Sequence, residues 1–107
     1  MGQVKAVVQP GVCRLETRIR AEERDLAVTL FIDSDCPKVK ALAERLKDPL
    51  PVLSILSTPL NETLVYQAAA AAALHASCVV PAALLKAVEV AAGLALPKDV
   101  HIILTRD

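Results

Sequence analysis

The chain has 107 residues, 54% of them hydrophobic, and its 12 Lys and Arg balance 12 Asp and Glu. That length suits one domain, residues 1–107, and is too short for two ordinary ones; the apolar content excludes a disordered polyelectrolyte. Zero formal net charge, with Phe31 and Tyr66 the only aromatic side chains, argues against nucleic acid as a partner. Phosphate recognition needs clustered Lys and Arg, and unpaired bases need stacking platforms.

Gln3 to Gln9 reads as a first strand, with Val4, Ala6 and Val8 on one face. Pro10-Gly11 follows in the order a type II turn requires. From Cys13 the pattern alternates: Cys13, Leu15, Thr17 and Ile19 face the core, while Arg14, Glu16, Arg18 and Arg20 face solvent. A polar reversal, Glu22 to Asp25, leads to a third strand in which Leu26, Val28, Leu30 and Ile32 alternate up to Asp33. Three antiparallel strands in a meander are expected.

Pro37 opens a helical pattern carried by Val39, Leu42, Ala43 and Leu46, as suits proline in a first helical turn. The stretch bracketed by Pro49, Pro51 and Pro59 fits no single element. A second helix, capped by Thr58 or Asn61, is expected to run through Tyr66 and the alanines Ala68 to Ala73 to about Ala76. Pro81 opens a third, which ends at Ala92 before Gly93. The β-branched run Asp99 to Thr105 is expected to close the sheet as a fourth strand. The expected fold is a two-layer α+β sandwich, in the order βββαααβ, with about three helices on one face.

No run is long enough to span a membrane, and the amino-terminal residues lack a signal-peptide pattern. A cytoplasmic location is therefore expected, where thiols are kept reduced. The three cysteines, Cys13, Cys36 and Cys78, cannot all pair in disulfides.

Following the expected strand and helix directions, the turns bearing all three cysteines come to one end of the sheet. Cys36 directly precedes Pro37, where free backbone N–H groups at a helix start favour a thiolate, while the carboxylates of Asp33 and Asp35 oppose one. With His75, three residues before Cys78, the set Cys13, Cys36, Cys78 and His75 would suit zinc. The three cysteines alone could hold an iron–sulfur cluster with one further ligand. A thiol-based sulfur carrier or redox protein using Cys36 or Cys78 is the alternative, and an interaction module dimerising through its sheet face, without chemistry, is a third class. Whether the chain is an enzyme stays open. Arg14, Arg18, Arg20 and Glu16 read most simply as a solvated sheet face.

Pro10-Gly11-Val12-Cys13, Ser34-Asp35-Cys36-Pro37 and His75-Ala-Ser-Cys78-Val-Val-Pro81, followed by Lys86 to Pro97, resemble a small family of uncharacterised single-domain proteins from anaerobic prokaryotes. That resemblance covers nearly the whole chain and implies no activity. Cys78-Val79-Val80-Pro81 is also locally similar to the Cys-Pro-x-Pro motif of TusA-like sulfur carriers, without its first proline. By that similarity Cys78 would carry a persulfide.

Overall fold

Strand β1 (Gln3–Val8) pairs antiparallel with β2 (Thr17–Arg24), and β2 with β3 (Ala27–Ser34), in a computed structural model that describes residues 2–107. The register places Val8 opposite Thr17 and Thr17 opposite Ser34 at one end of the meander. At the other end, β2 and β3 are joined by Asp25 and Leu26 alone, both in the left-handed region with φ of 54° and 62°. Such a two-residue connection twists as its strands do. Leu26 holds this unusual conformation because its N–H donates to Glu23 Oε2 at 3.0 Å and its carbonyl accepts from Val52 N at 3.0 Å.

The expected alternation holds along β2 from Thr17 and along β3 from Val28, but not at Leu26, which lies in the connection and is 62% exposed. Thr17, Ile19 and Ala21 on β2, and Val28 and Leu30 on β3, are buried beneath the helices. It fails at Cys13, which lies in the connection between β1 and β2 and is exposed. Gly11 and Arg14 both take positive φ, and Arg14 N donates to the Gly11 carbonyl at 3.0 Å. That closed turn keeps the segment out of the ladder, so Cys13 does not belong to the core face.

Helix α1 (Pro37–Arg45) packs over β3 and buries Val39 and Leu42. The stretch after Pro49 resolves into a two-residue strand β4 (Leu50–Pro51), paired with Val28 and Ala27, and a short helix α2 (Val52–Leu56). The sheet thus has four antiparallel strands in the order β1-β2-β3-β4. Its fourth strand is β4 and not the expected 99–105, which has no regular structure and is exposed. High β propensity forms no strand where no neighbour supplies hydrogen bonds and burial.

A 3₁₀ turn (Leu60–Glu62) precedes α3 (Leu64–Ala71). The cap is Thr63, rather than Thr58 or Asn61: its hydroxyl accepts from Tyr66 N at 3.2 Å and donates to the Leu60 carbonyl at 2.9 Å. The helix ends five residues before the expected Ala76, because Ala73 turns left-handed at φ 61°. Ala73 N and Leu74 N then bond back to the carbonyls of Ala70 and Ala69, a Schellman closure built on alanine. Helix α4 (Val80–Ala91) ends in the same motif on Gly93, at φ 78°.

Helix α4 packs over β1 and β2, on the same face as α1. Leu42, Ile55, Leu84, Val65 and Val88 are each at most 2% exposed in a core shared by all the helices and the sheet. Burying a Leu or Val of this kind stabilises by about 1.5–3 kcal/mol. Ala91 meets Gly2 at the start of β1 so closely that a Cβ on Gly2 would collide with the Ala91 carbonyl oxygen. This contact sets the end of α4 at the start of β1.

Candidate functional site at the cysteine end

Two connections meet at the end of the sheet where Val8, Thr17 and Ser34 are in register. They are the β1–β2 connection with Cys13 and the β3–α1 junction with Cys36. His75 and Cys78 lie in the α3–α4 connection, which leads into α4. Cys13 and Cys36 therefore share an end of the fold, and all three cysteines are free thiols.

The local structure at Cys36 is the most fully determined. Thr17 and Ser34, both buried, share a hydroxyl–hydroxyl hydrogen bond of 2.7 Å. Ser34 Oγ also accepts from Cys36 N at 3.1 Å, and Asp35 N donates to the Glu16 carbonyl at 3.0 Å. The β3–α1 junction is thus tied to the first residues of β2 by polar bonds under the helical layer. Cys36 occupies the N-cap of α1, half-buried against the core, and no side chain caps this helix. Pro37 has no N–H to give, so Lys38 N and Val39 N are the first-turn donors.

Cys78 is also half-buried against the core, two residues before α4 begins, and its N–H donates to the His75 carbonyl at 3.1 Å. The His75 side chain is exposed, as is Cys13. Shared location does not amount to a closed ligand set: among the described residues, no group of three or more His, Cys, Asp or Glu is gathered closely enough to hold a metal ion.

Asp33 and Asp35, the carboxylates set against a thiolate in the sequence, are held elsewhere. Arg18 binds Asp33 at 3.0 Å, Glu16 at 2.9 Å and Asp35 at 3.2 Å. These bonds, Asp33 first, then Glu16 and Asp35, raise the Arg18 guanidinium further above its ordinary range. Arg20 on the same face lies 4.2 Å from the Phe31 ring centroid and binds Glu22 at 2.9 Å. Arg18 and Arg20 thus belong to a partly solvated, internally paired sheet face, opposite the helices, whereas Arg14 lies in the β1–β2 connection and not on that face.

The sequence reading did not single out Thr17 or Ser34 as contributors to the site. The signal lay in Ser34-Asp35-Cys36-Pro37, a hydroxyl two residues before a helix cap, and in Thr17 as the polar member of an otherwise apolar face.

No helix among the described residues is long and apolar enough to cross a membrane. No curated protein and no solved structure matches the chain. One family model does, over residues 4–104, which takes in all three cysteines, His75 and every strand and helix apart from the first residue of β1. The chain belongs to the DUF6951 family, a family of unknown function.

Proposed function

We propose that this protein is a thiol carrier whose reactive group is Cys36, with Cys78 as a second thiol. The observation that carries this reading is the position of Cys36 at an N-cap left open by other side chains, on a junction anchored by the Thr17–Ser34 pair. A helix start stabilises negative charge on sulfur. Arg18 holds Asp33 and Asp35, which removes the main source of opposing charge. In sulfur transfer, the Cys36 thiolate attacks the outer sulfur of a small-molecule persulfide. The donor S–S bond breaks, a new S–S bond forms on Cys36, and the donor leaves as a thiol. The local likeness of Cys78-Val79-Val80-Pro81 to TusA-like carriers supports the same chemistry with Cys78 as the acceptor.

Peptide mapping after incubation with a small-molecule persulfide tests the reading. One added sulfur atom on Cys36 or Cys78, and none on Cys13, supports it. Addition at all three in proportion to exposure, or at none, overturns it.

The placement of Cys13 and Cys36 at one end of the sheet favours a second reading, in which the α3–α4 connection brings Cys78 and His75 to them and closure around zinc or an iron–sulfur cluster completes a ligand set. Metal analysis and an absorption spectrum of anaerobically purified protein distinguish the two. Stoichiometric zinc or cluster absorption establishes the second; folded, metal-free protein with three free thiols removes it.

A further inference from the structure

Residues 94–107 have no regular structure, and every one of them is exposed. They nevertheless include Val100, Ile102, Ile103 and Leu104, of which Ile103 and Leu104 are 85% and 88% exposed. Apolar side chains this contiguous and this bare mark a surface built to be covered. The family match reaches residue 104 and includes them.

The complementary surface lies in the same chain. Strand β1 is at the edge of the sheet, paired with β2 on one side only. Its outer side presents unpaired backbone groups, and Val4 and Ala6 on its core-facing side are only half-buried. The segment 99–105 alternates suitably: Val100, Ile102 and Leu104 would continue the core side beside Val4 and Ala6. His101, Ile103 and Thr105 would lie on the open face beside Lys5 and Val7. Its seven residues span roughly 23 Å as a strand, close to the roughly 20 Å of the six-residue β1.

We propose that two copies of this chain exchange these segments, each lending residues 99–105 as an added strand to the open β1 edge of the other copy. Leu96 precedes Pro97, which biases the link toward an extended conformation. The segment is exposed and outside the sheet rather than on its own β1 edge, although α4 ends near the start of that strand. The longest molecular dimension, 46 Å against 28 and 25 Å, matches a projecting segment. Donor and acceptor are present in every copy, so a two-fold exchange closes on itself and leaves no unpaired end.

Two measurements on the full chain test the exchange. Sedimentation across a dilution series should give twice the 11.4 kDa chain mass, and the double variant Ile102→Asp/Leu104→Asp should be monomeric, keeping the helical far-ultraviolet circular dichroism signal and losing only the β contribution of the added strand. Amine cross-linking of an equal mixture of ¹⁴N- and ¹⁵N-labelled protein should join Lys98 to Lys5 with hybrid isotopic mass. A monomeric wild-type chain, a dimer indifferent to the double variant, or Lys5–Lys98 links of single isotopic mass only, as from a segment folded on its own β1, would each overturn it.

Discussion

Thr17 and Ser34 face each other across β2 and β3 and share a buried hydrogen bond of 2.7 Å, from which the position of Cys36 follows. The same Ser34 oxygen receives the Cys36 N–H at 3.1 Å. One serine therefore couples sheet register to the start of α1. Replacing it should disturb both stability and thiol behaviour.

Ser34→Ala leaves the Thr17 hydroxyl buried without its partner, at a cost of about 1–3 kcal/mol in denaturant unfolding. Thr17→Val/Ser34→Ala removes both hydroxyls, and its loss should be smaller than the sum of the two single losses. Equal additivity would mean that the two hydroxyls do not act as a pair.

Ala73 offers a second test, because it occupies the left-handed position that Gly93 fills in α4. A non-glycine residue there is strained by about 1–2 kcal/mol, partly offset by the greater freedom glycine gives the unfolded chain. Ala73→Gly should therefore stabilise by about 0.5–1 kcal/mol. Gly93→Ala should destabilise, and chemical unfolding of both variants checks the pair.

Arg18 neutralises three carboxylates that would otherwise repel one another. Arg18→Gln should lower the thermal midpoint most at low ionic strength, and added salt should recover much of the loss by screening Glu16, Asp33 and Asp35. A loss independent of salt would show that packing of the Arg18 stem matters more than its charge.

The meander was legible because Ile19, Ala21, Val28 and Leu30 alternate with polar residues, and α1 and α4 because Pro37, Pro81 and Gly93 punctuate them. Early termination of α3 was not, since Ala73 looks like any helical alanine until its neighbours make the Schellman bonds. Strand β4 pairs only Leu50 and Pro51, too short for any periodicity. At 99–105 the β-branched run misled, since propensity alone makes no strand and the segment is paired with no edge in this structure. The period-2 run through Cys13 misled in the same way: Gly11 and Arg14 bend the chain before the ladder begins. Strand directions were sufficient to bring the Cys13 and Cys36 connections to one end, whereas the Thr17–Ser34 bond depends on side-chain packing that no spacing reveals.

In the proposed carrier, Cys36, held at the start of α1, is the reactive thiol. Brief alkylation of the native protein near neutral pH, followed by peptide mapping, gives the relative rates of the three cysteines in one sample. Cys36 should be modified ahead of the more exposed Cys13, and Ser34→Ala should narrow that lead. Modification in order of exposure, with Cys13 first and Ser34→Ala without effect, would contradict the account.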